Sequence, residues 1–273
     1  RRSFHPLTSL RAGSSCIDGT TGSLCPEAPC PPQQGMLMAL VLEVHLAPSL
    51  ASAPMAHLAQ VVADLEGAGV EMLHFDLEDG HFVPLMTLGT RVIGELRPLT
   101  SLPFDVHLMV SHPEVLIPEV AALGADSISV HYEACPYPRR TLRQIKELGK
   151  QAGLAFNPKT PLPPLEYLLP YLDYILILTT EPELPDCPFL PSVLDKVRAA
   201  AVFAREHDLA LGVMADGGIN TENIAAVVGA GASTIVAGRS IFQGKNQVAI
   251  NVQRLRRAAE VVQHTQQAQR SQQ

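Results

Sequence analysis

MLHFDLEDGHFVP, residues 72–84, is the stretch on which the fold turns. It opens as an apolar run and closes on the turn-forming pair Asp79-Gly80, so residues 72–78 predict a short, mostly buried strand. Side chains alternate along a strand, which puts His74, Asp76 and Glu78 on one face. Ionisable groups on one face of a buried strand need partners, because burying each of them unpaired costs several kcal/mol. A divalent metal at the mouth of a barrel would supply one. For a lone His-x-Asp, a hydrogen-bonded pair at a strand end is the plainer alternative. Two further stretches bear on the choice: FDVHLMV (104–110) and GVMADGGIN (212–220) are strand-like and each carries another candidate ligand, His107 and Asp216.

The same pattern runs outward through the chain from residue 40. Strand-like runs start near Val41, Met72, Phe104, Ser127, Leu154, Tyr174, Leu211 and Thr234. Helical patterns fill the intervals over 55–67, 89–96, 113–123, 139–152, 163–172, 190–207, 221–231 and 247–269. Several of these end in glycine before the next strand, as at Gly67, Gly124 and Gly231. Eight β units, each followed by a helix within about 230 residues, predict a closed parallel barrel, since doubly wound sheets usually have fewer strands. The expected fold class is α/β, a single (β/α)8 TIM barrel over residues 39–273.

Such barrels keep their chemistry at the C-terminal ends of the strands. His74 and Asp76 end strand 2, His107 stands near the end of strand 3 and Asp216 ends strand 7, so all four fall at one mouth. Independent surface or core roles would not produce that clustering so readily. Two imidazoles and two carboxylates suit Zn, Mn, Fe or Co, with positions left open for substrate oxygens. A metal is therefore favoured over an isolated hydrogen-bonded pair.

Composition narrows the partner. With 47% hydrophobic and 17% charged residues, the chain is globular. Its formal net charge of −7 and lack of a long basic run argue against nucleic acid and leave small molecules open. No apolar run reaches the ~18 residues of a membrane span. Cys16, Cys25 and Cys30 crowd the N-terminus, Cys135 and Cys187 stand apart, and no C-x2-C spacing suggests a zinc module or disulfide framework. The body of the chain reads as cytoplasmic, and a homo-oligomer is expected. Residues 1–38 differ in being rich in Ser, Gly, Pro and Cys without hydrophobic periodicity. Arg1, Arg2 and Arg11 among serines allow an organellar transit peptide, but upstream-translated sequence is the favoured reading. Disorder and no chemistry are expected there.

Eight stretches in chain order carry a resemblance: LAPSLASA (46–53), HFDLEDGHFVP (74–84), DVHLMV (105–110), SVHYEA (129–134), FNPKTP (156–161), FLPSVLDKV (189–197), ADGGIN (215–220) and IVAGRSIF (235–242). Over residues 44–243 the chain resembles ribulose-phosphate 3-epimerases. The resemblance implies a metal held by His74, Asp76, His107 and Asp216, with Asp76 and Asp216 as the two acid/base groups. It also implies substrate contacts from Ser49, His107 and Met109, the last packed over the reacting carbons. The implied substrate is a ketose phosphate whose C3 inverts through a cis-enediolate. Inversion removes a weakly acidic C–H proton beside a carbonyl, so a metal that neutralises developing charge lowers the barrier. It also needs a proton donor on the face opposite the base, hence two carboxylates.

Four departures from the family pattern stand out. Glu78 occupies a usual Met position, where a carboxylate would be an extra ligand, a sugar-hydroxyl acceptor or a third acid/base, or else turn out to solvent. Leu178 replaces another Met and keeps the pocket apolar. The usual Gly-rich loop after strand 6 is replaced by Glu183-Leu184-Pro185-Asp186-Cys187-Pro188. Gly217-Gly218 after strand 7 and Gly238-Arg239 after strand 8 remain as an anion cradle. Arg239 stands at a usually small polar position, to pair with phosphate or to cap a surface turn. The chain thus reads as a diverged paralogue and a metal-dependent isomerase. The alternatives are an enediolate-stabilising barrel lyase, decarboxylase or aldolase, and a catalytically impaired barrel that binds a sugar phosphate or a partner protein.

Overall fold

The computed structural model describes residues 44–182, 187–243 and 247–270. The expected extension over 1–38, the strand start near Val41 and residues 183–186 of the strand-6 loop lie outside them. Eight strands, all parallel, run β1 (His45–Pro48), β2 (Leu73–Glu78), β3 (Phe104–Met109), β4 (Ser127–His131), β5 (Gln151–Phe156), β6 (Tyr174–Leu178), β7 (Gly212–Asp216) and β8 (Thr234–Ala237). Each pairs with its sequence neighbours, β1 pairs with β8, and a parallel bridge between Ser49 and His74 joins β1 to β2. The barrel expected from the alternating pattern is therefore formed.

Strand alternation builds two separate apolar zones. Leu73, Phe75 and Leu77 point out of β2 and join Phe104, Val106 and Leu108 of β3 in the large core beneath the helices. Ala47, Met109, Ala155, Leu176, Leu178, Met214 and Val236 form a second cluster, the other face of the same strands. Continuous burial on both faces explains why the strands read as apolar runs and not as alternating ones.

The helices are α1 (Leu58–Gly67), α2 (Arg91–Leu96), α3 (Pro113–Leu123), α4 (Pro138–Glu147), α5 (Leu194–Glu206), α6 (Ile224–Gly229), α7 (Arg239–Phe242) and α8 (Val248–Arg270). Three differences from expectation have local causes. The helix expected over 163–172 is only a 3-10 turn at Glu166–Leu168. Pro161, Pro163, Pro164 and Pro170 remove the N–H groups a longer helix would need. The helix expected to run to residue 152 stops at Glu147, where Gly149 turns the chain at φ +74° and Gln151 enters β5. The short α7 after β8 has no counterpart among the expected helices, and it places Arg239 in its first turn.

Candidate active site and metal centre

The β2–β3 register makes the first contacts of the site. Asp76 pairs with His107 and His74 with Asp105, so each histidine lies beside an aspartate on the neighbouring strand. Asp76 Oδ1 lies 3.1 Å from both His74 Nε2 and His107 Nδ1. Asp216, at the end of β7, brings Oδ2 to 3.9 Å from His74 Nε2 and 3.7 Å from His107 Nδ1. One ligand atom from each of the four residues lies within 4.8 Å of the others. The four sequence candidates from three strands thus meet at one point.

The far nitrogen of each imidazole is engaged. His74 Nδ1 faces the buried Asp105 carboxylate at 2.7 Å, so it carries the proton and leaves the Nε2 lone pair toward the cluster. His107 Nε2 lies 2.9 Å from His131 Nε2, and His131 Nδ1 lies 3.2 Å from Glu133. The Glu133 carboxylate fixes His131 Nδ1–H, so His131 Nε2 accepts from His107 Nε2–H. That assignment leaves the His107 Nδ1 lone pair, too, pointing at Asp76. Two imidazole lone pairs and two carboxylates then face one another, an arrangement that requires positive charge between them. The donor set fits a divalent cation of the Zn, Mn, Fe or Co kind.

Burial and the neighbouring charges shift the ionisable groups of the cluster strongly. Burial works against the charged form of His74, yet the neighbouring Asp76 and Asp105 carboxylates hold its pKa well above the usual range. Burial raises Asp76, but the His74 charge and the close approach of both imidazoles hold its carboxyl well below the usual range. Asp216 is pushed up to about 6 by burial and by the Asp76 charge beside it. Burial pushes His131 down to about 4, consistent with a neutral imidazole.

Above this floor opens a cavity of about 520 Å³. Ser49, Glu78, Met109, Leu178, Gly217, Gly218, Gly238 and Arg239 all line it, as do Asp76 and Asp216. Ser49 Oγ donates to Asp76 Oδ2 at 2.6 Å, leaving Oδ1 to the histidines. Gly217 and Gly218 adopt φ +113° and +65°, and a Cβ on Gly217 would lie 2.3 Å from Thr180 Oγ1. Only glycine lets the backbone after β7 turn so tightly along this wall. Arg239 Nη2 approaches the Cys187 carbonyl at 3.5 Å, across the wall from β8. Glu78 does not turn away to solvent: it lines the cavity, half-buried, and accepts a hydrogen bond from Thr87 Oγ1 at 2.8 Å. Among the described residues it is not part of the four-residue ligand cluster.

Asp105, Ser127, His131, Glu133 and Tyr174 are site residues that the sequence reading misses. Period-two alternation from His107 and from His131 would have reached Asp105 and Ser127. Tyr174 carries no local signal, because its contact with β3 spans 69 residues.

Comparison with known proteins agrees with this geometry. The family model described as "Ribulose-phosphate 3 epimerase family" matches residues 45–242. The chain is 42% identical over 202 residues to a ribulose-phosphate 3-epimerase of Bacillus subtilis, covering 73% of this chain and 92% of the relative. It is 41% identical over 198 residues to one of Escherichia coli, covering 72% and 88% respectively. The chloroplastic ribulose-5-phosphate-3-epimerase of Arabidopsis thaliana is 38% identical over 206 residues, covering 75% and 73%. Among solved structures, KGPDC from Streptococcus mutans superposes with a TM-score of 0.56 at 14% identity, covering 81% of this chain and 99% of that one. At that identity the likeness concerns the fold alone. The sequence matches, by contrast, run through every strand that contributes to the metal cluster, and on them the chain belongs to the ribulose-phosphate 3-epimerase family.

Proposed function

We propose that this chain is an isomerase that inverts C3 of a ketose phosphate, ribulose 5-phosphate/xylulose 5-phosphate or a related sugar, with a divalent cation at His74, Asp76, His107 and Asp216. The observation that carries the reading is the convergence of those four side chains, two of them carboxylates, at the floor of one cavity. When bound, a divalent cation there supplies Lewis-acid stabilisation of negative charge as the C3 proton leaves.

The protein's own groups account for the rest. One of Asp76 and Asp216 takes the C3 proton, and the other returns a proton to the opposite face of the planar enediolate. They stand on β2 and β7, separated around the barrel by β1 and β8. The Ser49 hydroxyl holds Asp76 Oδ2 and so fixes the carboxylate plane. Met109 and Leu178, both nearly buried, give the cavity an apolar surface that excludes water from the reacting carbons. Backbone N–H groups at Gly217, Gly218 and Gly238, with Arg239, receive the phosphate. Paired carboxylates favour epimerisation over the lyase reading, because inversion needs proton-transfer groups on both faces and loss of a leaving group does not.

Asp76→Asn and Asp216→Asn test the two-acid scheme. Each variant is expected to lose net epimerisation by several powers of ten. While its metal stays bound, each keeps slow C3–H exchange with deuterated water from opposite epimers. Metal content is measured in parallel, since loss of the ion would abolish both activities trivially. A metal-loaded variant that epimerises at close to the wild-type rate removes that aspartate from the mechanism.

A further inference from the structure

Asp105 stands two residues before His107 on β3, on the same inward face and one level deeper in the barrel. It is fully buried, as are His74 and Tyr174, and Ser127 is 5% exposed. Its carboxylate meets three donors: His74 Nδ1 at 2.7 Å on Oδ2, with Ser127 Oγ at 2.5 Å and the Tyr174 hydroxyl at 2.6 Å on Oδ1. Ser127 reaches it from β4, where the register pairs the two residues directly. Tyr174 reaches it from β6, across the inside of the barrel.

That reach needs space, and the sequence supplies it at one position. Gly153 on β5 pairs with Tyr174 in the β5–β6 register, and a Cβ on Gly153 would lie 2.3 Å from the tyrosine Cζ. The phenol therefore lies over the bare glycine backbone on its way to β3. A phenylalanine would fill the same volume beside Leu176 and Met214. The hydroxyl is accounted for by the carboxylate it meets.

We propose that Tyr174 is a positioning residue for the metal centre: with Ser127 it locks the Asp105 carboxylate, and Asp105 holds His74 in the Nδ1–H tautomer with Nε2 aimed at the ligand cluster. Outer groups that orient a ligating imidazole in this way typically change metal affinity about ten- to a hundred-fold when removed. His107 is held by a separate arm, His131 and Glu133, so the effect of Tyr174 passes through His74 alone. This inference rests on the metal reading above, and its test separates the two.

The test is Co2+ titration of the metal-free protein, because cobalt absorption bands report ligand geometry as well as affinity. Tyr174→Phe is expected to weaken Co2+ binding about three- to tenfold and alter the bands, and Asp105→Asn to weaken it about ten- to a hundredfold. In the Asp105→Asn background, Tyr174→Phe is expected to add nothing, because both changes act through one group. Ser127→Ala, which releases the same Oδ1, is expected to mimic Tyr174→Phe and keeps the test open if Asp105→Asn does not fold. If Tyr174→Phe lowers the melting temperature but leaves cobalt affinity and bands unchanged, or if its effect simply adds to that of Asp105→Asn, the tyrosine is only a core residue and the proposal is overturned. Failure of the wild-type protein to bind stoichiometric Co2+ would sink the metal reading itself, and this inference with it.

Discussion

Arg239 and Glu78 place a guanidinium and a half-buried carboxyl in the lining of one cavity. Arg239 opens α7 beside Gly238 and lines the same cavity as Gly217 and Gly218, the four residues proposed to receive the phosphate. Arg239→Ala is expected to weaken a phosphorylated ketose roughly ten- to a hundred-fold, the scale of one lost charge-assisted hydrogen bond. An unphosphorylated analogue is expected to lose much less. Inhibition constants for the two ligands check this, and equal losses would mean that Arg239 does not read phosphate. Glu78 lines the same cavity with its carboxyl pushed up by burial, and its bond from Thr87 keeps it at the rim. Its side chain is a candidate acceptor for a sugar hydroxyl, and it stays outside the ligand cluster.

At the scale of elements, α3 shows how the layer outside the barrel absorbs a local fault. Pro118 lies inside the helix and has no N–H to give the Glu114 carbonyl one turn back. The Gln144 side chain on the neighbouring α4 donates to that carbonyl at 3.0 Å, so the acceptor is satisfied from outside and the helix runs on to Leu123. Pro118→Ala restores the internal donor and is expected to stabilise the protein by about 1–2 kcal/mol, less than the full proline penalty because Gln144 already compensates. Thermal melting checks it: the midpoint should rise by a few degrees with epimerase activity unchanged, and a fall would show that the ring packs in a way alanine cannot replace. The crossover from β5 to β6 goes the other way, with prolines reducing an expected helix to one 3-10 turn while both strands keep their places.

Across the whole molecule, the cation site ties together β2, β3 and β7, strands that lie on both sides of the point where β1 meets β8. Ligands that bind only the folded state stabilise it by mass action, by about 2.7 kcal/mol at a hundredfold excess over Kd. Adding Zn2+ or Mn2+ to the chelated protein is therefore expected to raise the melting midpoint by about 5–10 °C at that excess. His107→Ala should remove most of that shift. An unchanged midpoint on adding the metals to the wild-type protein would mean that the four side chains do not form a metal site.

The barrel and the positions of its four candidate ligands were legible in local pattern, because both depend on short-range regularities, whereas the roles of those residues came with the family resemblance. Alternation within β2 put His74, Asp76 and Glu78 on one face, and repetition of strand and helix put β2, β3 and β7 at the same mouth. Proline spacing carried the information against a helix at 163–172, but an apolar periodicity masked it. Which groups stand behind the four candidate ligands followed from long-range packing. Strand register, a matter of which residues on two chains of atoms lie level, set Asp105 against His74 and Ser127 against Asp105. The reach of Tyr174 across the barrel depends on where β6 closes against β5 and on the bare backbone of Gly153, and no local pattern encodes a contact 69 residues long.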